Sequence, residues 1–220
     1  MALFMAMPFC ALAQNTYQVG TLPAINVNKK ISDRWKLNFK WESRQGISNG
    51  SFGGESISSF DYILSDLSLI GSTRIGLGNS LAMGYLIRLR ENRSVHRSIQ
   101  QYTIIRRYSK FRLAHRIASD QTYDPLEATA FRLRYRIGGE FPLRGETINP
   151  REFYLKVNHE YLHALQQGEY DLEIRAVPLL GYMIRDDRKL EIGTDYRLRS
   201  FLDGGSDHVF WISINCFISI

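Results

Sequence analysis

The chain has 220 residues, 44% of them hydrophobic and 23% charged, with 28 Lys and Arg against 22 Asp and Glu for a formal charge of +6. That is one domain's worth of chain, and its composition excludes disordered and collagen-like classes. No run approaches the roughly 20 consecutive apolar residues of a membrane-spanning helix, so any membrane reading rests on strands.

Met1 to Phe9 is apolar, and Ala11-Leu12-Ala13 before Gln14 has the small-x-small pattern of a signal-peptidase site. We expect a signal peptide over residues 1–13, truncated at its start because it contains no Lys or Arg, and a β-barrel domain over 14–220. Cys10 lacks the small preceding residue of a lipid-anchor signal, and removal of the leader leaves Cys216 without an intramolecular disulfide partner. The Lys and Arg fall singly or in pairs, with no longer basic run or recognition helix, which argues against nucleic acid as a partner.

Apolar and polar residues then alternate along successive stretches about ten residues long, the strand period. The expected strands begin with Val19 to Lys29, Trp35 to Arg44, Ser58 to Ile70 and Leu81 to Glu91. They continue with Val95 to Ile105, Phe111 to Asp120, Ala128 to Phe141 and Glu152 to Leu162. Tyr170 to Ile184, Lys189 to Ser200 and His208 to Ile220 complete the set. Tight turns at 31–33, 76–79, 107–109 and 186–188 alternate with longer segments at 45–57 and 121–127, the Gly- and Ser-rich 46–54 stretch being the expected outer loop.

This pattern predicts an all-β, antiparallel up-and-down barrel of the outer-membrane type, with 10–12 strands. The strands read from the sequence number eleven, whereas bacterial single-chain barrels use even counts, so one strand is expected to be missed or wrongly split. Pro178 falls inside an expected strand and calls for a bulge.

Aromatics bracket the apolar faces: Trp35 and Trp41, Phe131 and Phe141, Phe153 and Tyr161. Such pairs, roughly 20 to 33 Å apart along a tilted strand, suit an apolar band about 25 Å tall. The opposite faces are charged in both signs, with Lys36, Lys40 and Glu42 on one strand. Arg132, Arg134, Arg136 and Glu140 share another, as do Glu191, Asp195, Arg197 and Arg199, and Glu173 and Arg175 belong with them. These groups, with Glu160, are expected to meet across a polar lumen and fill it as ion pairs, as in small barrels. The other reading of this charge is a selective pore or a site for an anionic solute. The last strand sets Phe210, Ile212, Ile214, Cys216, Ile218 and Ile220 on one face. It is similar to the terminal strand by which the outer-membrane assembly machinery recognises its substrates, although it ends in Ile rather than an aromatic.

Two constellations could carry chemistry. His159-Glu160-Tyr161-Leu162-His163 is a literal HExxH, which on a helix would bind zinc beside a general base. On a strand both histidines face one way and Glu160 the other, so no metal site is expected, and no cofactor. Ser200 and His208 flank the last outer loop as a candidate hydrolase pair at the outer leaflet. No other catalytic set is visible.

The ordered residues resemble a bacterial domain-of-unknown-function family of small, exported, outer-membrane-like β-barrel proteins. The resemblance rests on Trp35, Glu42-x-Arg44, Gly84-Tyr85, His96-Arg97 and Gln100-Gln101. It continues through Arg112, Arg116, Arg132-x-Arg134, Glu160, Arg175, Gly181-Tyr182, Gly193 and Tyr196, while His115 departs from an acidic position. It implies no activity or cofactor, and it makes Glu160 a lumen-facing strand residue. The expected address is the outer membrane. The expected partners are its lipid and lipopolysaccharide, with the assembly machinery during biogenesis. The first expected role is structural or that of a narrow channel. A lipid-modifying hydrolase and a soluble periplasmic lipocalin-like binding barrel are the alternatives.

Overall fold

The computed structural model describes residues 15–202 and 204–220, so the expected signal peptide lies outside the described residues. The chain forms β1 (Asn15–Lys30), β2 (Trp35–Ser51), β3 (Ser56–Gly76), β4 (Asn79–Arg90), β5 (Arg93–Arg107) and β6 (Arg112–Asp124). They are followed by β7 (Glu127–Pro142), β8 (Phe153–Gln166), β9 (Glu169–Arg185), β10 (Arg188–Arg199) and β11 (Ser206–Ser219). Consecutive strands pair antiparallel, and β1 closes the sheet against β11 to give a barrel with no free edge.

The count among the described residues is eleven, with no twelfth strand to be found. An odd number forces the first and last strands to run the same way. The seam is accordingly parallel, in unbroken register from Asn15↔Ser206 to Asn28↔Ser219. It also places Asn15 and Ile220 at opposite mouths, here called the N-terminal and C-terminal rims.

The connections differ from the expected alternation. The 46–54 stretch is mostly strand, and the β2–β3 connection shrinks to residues 52–55. Likewise β6 runs to Asp124 and turns directly into β7 at Glu127. The longest connection, residues 143–152, lies at the C-terminal rim with the tight turns. The ladder overrides local preference here, because Gly and Ser adopt the extended backbone when both neighbours offer hydrogen bonds. The far ends of β2 and β3 pair beyond the point where β4 stops opposite Ser65, so this hairpin extends past the N-terminal rim and exposes Phe52, Ile57, Phe60 and Tyr62.

Pro178 produces no bulge. Its pairing with Val157 on β8 is in register, and on the β10 side the ladder skips two positions between Gly193↔Leu179 and Tyr196↔Ala176 without shifting. The missing N–H is absorbed by that gap. Gly193 faces it, where a Cβ would come within 2.9 Å of the Leu179 Cα.

Side chains sort by parity. Outward positions carry Leu69, Met83, Leu133, Leu155, Ile192 and Ile212, all among the exposed large hydrophobics. Aromatics crowd both margins of this band. Trp35, Phe39, Tyr108, Phe141 and Phe153 are exposed towards the C-terminal rim, and Tyr62, Tyr85, Tyr123, Phe131 and Tyr170 towards the N-terminal rim. Phe131 and Phe141 are separated by about 33 Å of strand, which tilted by about 40° gives a band about 25 Å tall. The buried positions inside the barrel are largely polar: Glu42, Asp66, Arg97, Asp120, Glu160 and Arg197 among them.

Candidate functional site: a charged lumen between two closures

The interior holds a cavity of about 510 Å³. Twelve Lys and Arg side chains line it against five carboxylates, so cations dominate its wall. Asp120 and Glu160 lie behind that wall, fully or almost fully buried at 0% and 2% exposure. Burial of these charges is tolerable only because each carboxylate has several partners.

Asp120 on β6 receives Arg132 Nε at 2.6 Å and Arg134 Nη2 at 3.0 Å from β7, with Arg97 of β5 at 3.5 Å. Glu160 on β8 receives Arg136 Nε at 2.7 Å from β7 and Arg175 Nη1 at 3.1 Å from β9. Arg175 also bonds Glu173 on its own strand. Asp66 takes a two-pronged bond from Arg88, both contacts 2.8 Å, and Asp195 takes one from Arg197, both 2.9 Å. The expected charge cluster is thus gathered inside, with Glu191 at one end of it. Its missing members were Asp66, Arg88, Arg97, Arg116 and Asp120, which share the inward parity of their strands.

A packed layer lies towards each end of the cavity, whose lining reaches Arg88 and Arg199 on the N-terminal side. Towards the C-terminal rim, Tyr154 on β8 is fully buried and donates from its hydroxyl to Glu191 Oε1 at 2.8 Å. Lys156 Nζ donates to the same carboxylate at 2.8 and 3.0 Å, and Lys189 Nζ approaches it at 3.3 Å. Both ammonium groups lie over the Phe217 ring, at 5.4 and 4.7 Å from its centroid. Gly181 makes this packing possible: a Cβ there would overlap the hydroxyl end of the Tyr154 ring. Beyond the layer, a vestibule of about 490 Å³ opens under the 143–152 connection, touched by Arg107, Arg112, Arg188 and Lys189 and equally by Glu140, Glu146, Asp186 and Asp187.

Towards the N-terminal rim the closure is apolar. Leu22, Val209 and Trp211 form a buried cluster with Ile63 packed against it, and Arg44 lies over the Trp211 ring at 5.9 Å. Gly20 on β1 faces the indole, whose Cζ3 would lie 2.5 Å from a Cβ at that position. The two rims also differ in charge. The C-terminal rim carries Arg34, Arg74, Arg106, Arg107, Lys110, Arg144, Arg151, Arg185 and Arg188 against Asp33, Glu146, Glu152, Asp186 and Asp187, and the N-terminal rim carries Glu55, Glu91, Asp124, Glu127, Glu169 and Asp207 against Arg90 and Arg93. At the former, the Lys30 hydrogen bond holds the Asp33 carboxyl below its usual range, and Arg185 does the same for Asp187.

The HExxH segment lies on β8, with Glu160 inside on its arginines and both histidines outside. His159 packs edge-on to Tyr161, and His163 Nδ1 meets the Tyr170 hydroxyl at 2.7 Å. Among the described residues no group of His, Cys, Asp and Glu is arranged to hold a metal. Ser200 and His208 are not bonded to each other. Ser200 sits in the turn beyond β10 at φ +56° and donates to Asp207 Oδ2 at 3.1 Å. His208 instead bridges the Tyr196 hydroxyl, 2.9 Å from Nδ1, and Ser206 Oγ, 3.0 Å from Nε2. Ser206 Oγ also lies 2.8 Å from Asn15 Oδ1.

No curated protein matches the chain. Residues 20–205, from β1 to the connection before β11, match the family described as protein of unknown function DUF2490, and the chain belongs to that family.

Proposed function

We propose that this chain is a bacterial outer-membrane β-barrel whose charged, largely filled lumen serves a structural or narrow-conduit role. The observation that carries the reading is the distribution of side chains around a closed barrel. Exposed apolar residues form the outer band between two aromatic margins, while Glu42, Asp120, Glu160 and their arginines are buried inside. A soluble lipocalin-like barrel needs the reverse, an apolar interior and a polar exterior. Partners of that outer band are lipid and lipopolysaccharide, and β11 is the strand offered to the assembly machinery. Export through a cleaved leader over residues 1–13 belongs to the same proposal.

The test is fractionation of cells expressing the full chain, with electrophoresis of unheated and heated samples. Recovery in the outer membrane with heat-modifiable migration is expected. Release in a periplasmic shock extract would sink the proposal.

A second reading, an outer-leaflet lipid hydrolase, draws on the Ser206–His208–Tyr196 chain of contacts at the outer face. In it Ser206, rather than Ser200, would be the nucleophile and His208 its base. An unchanged lipid profile in a Ser206→Ala strain would dismiss it.

A further inference from the structure

Arg116 on β6 lines the lumen cavity with Arg134 and Arg136 of β7 and Arg175 of β9. Arg136 is its direct cross-strand partner, so two guanidinium groups face each other across one rung of the ladder. Four of its charged neighbours are Arg136, Arg134, Glu160 and Arg175, and Glu160 alone among these is an acid. That carboxylate is already shared by Arg136 at 2.7 Å and Arg175 at 3.1 Å. Among the described residues Arg116 has no carboxylate within ion-pair distance. A half-buried, uncompensated guanidinium beside three others is costly unless an anion occupies the space in front of it.

A second observation points the same way. The Nε–H groups of Arg134 and Arg44 are buried without an acceptor in the protein, although both side chains line the cavity, while the buried Asp120 Oδ2 and Glu160 Oε1 are held only as ion pairs, 3.0 Å from Arg134 and 3.1 Å from Arg175. Native structures rarely leave buried donors unmet. Donors without acceptors, set in a wall where cations outnumber acids, describe a site lacking an oxygen-rich anion. Forked guanidinium groups suit phosphoryl and carboxylate oxygens. Asn158 lines the same cavity and adds an uncharged polar group, and the space of about 510 Å³ is far larger than a halide needs.

We propose that the lumen binds a phosphomonoester-type oxyanion on Arg116, Arg134 and Arg136, admitted from the C-terminal rim. Access from that side follows from the contrast between the rims. Basic residues around the C-terminal mouth attract an anion, and the carboxylates at the opposite mouth repel it. The closure on the C-terminal side is made of flexible Lys156 and Lys189 on one carboxylate, while the other is packed hydrocarbon and indole. The lumen then works as a receptor whose more basic mouth is the C-terminal rim. This deepens the charged-lumen part of the reading above without depending on the membrane address.

The experiment titrates the full chain, in phosphatidylcholine nanodiscs, with glucose 6-phosphate and with glucose, followed by calorimetry in a chloride buffer. Saturable, salt-sensitive binding of the phosphate ester and none of glucose is expected. Arg116→Gln should weaken it by about 10- to 100-fold, the range for a hydrogen bond to a charged group, and Arg116→Lys by less. Heat-modifiable migration of both variants checks that they fold. If Arg116→Gln does not fold, Asn158→Ala carries the test, with a smaller loss expected. Repeating the titration in discs containing phosphatidic acid separates the sources. An unchanged affinity assigns a soluble phosphate ester, and competition assigns a lipid headgroup. No binding at millimolar ester, or equal binding by wild type and the folded variant, overturns the proposal. A soluble chain that still binds the ester would sink the outer-membrane address and leave this site standing.

Discussion

At the C-terminal end of the lumen Tyr154 lies on Gly181 and is tied to Glu191, Lys156 and Lys189; at the N-terminal end Trp211 lies on Gly20 among Leu22, Val209 and Ile63. Both closures use the same steric device, a large ring laid into the space left by a glycine on the adjacent strand. They differ in what surrounds the ring. The tyrosine layer is held by charge-assisted hydrogen bonds that water can replace one at a time. The tryptophan layer is held by exclusion of water, which fails only as a unit. One barrel thus carries an end suited to exchange with solvent and an end suited to sealing.

The comparison breaks most sharply at the glycines. Gly181→Ala drives a methyl group against the fully buried Tyr154 ring, so loss of the heat-modifiable folded band is expected. Truncating the ring in the same chain, Tyr154→Ala with Gly181→Ala, should restore part of it; a wild-type band for the single variant would show that the wedge is not there. Trp211→Ala should cost about 3–5 kcal/mol of unfolding free energy, as large aromatic truncations do, and should open the sealed end. Planar-bilayer recording is expected to show larger conductance steps for this variant than for wild type; an unchanged variant would mean the seal lies elsewhere. Tyr154→Phe removes one hydrogen bond to a charged group and should cost about 1–3 kcal/mol in denaturant titration, with no gain in conductance. A conductance gain there would equate the two closures.

The barrel was legible because each strand keeps its period of two, most plainly from Phe131 to Phe141, where arginines alternate with apolar residues. The parity that set Arg132, Arg134 and Arg136 on one face also turned Glu160 away from His159 and His163, so the HExxH reading failed on geometry alone. Strand ends were less visible. Gln45 to Ser51 is poor in strand formers, and it becomes strand because β1 and β3 both pair with it. The closure was not legible at all. Trp211 meets Gly20 across the β1–β11 seam, a contact fixed by the odd strand count and by register rather than by any local signal. Partner choice in the lumen has the same origin. Which acid holds which arginine depends on strand register, so the lack of an ion-pair partner for Arg116 among the described residues emerges only once β6, β7 and β8 are aligned.

The outer-membrane proposal requires that the apolar face look at lipid and the charged face at a lumen. Ile214 and Asn215 are adjacent on β11, the first exposed outside and the second lining the cavity. Nitroxide labels placed singly at Ile214→Cys and Asn215→Cys, in a Cys216→Ser background reconstituted in lipid vesicles, read the two faces directly. The account predicts that the Ile214→Cys label is relaxed by oxygen dissolved in lipid and shielded from a water-soluble nickel chelate. The Asn215→Cys label should show the opposite preference. Nickel-accessible labels at both positions would contradict it.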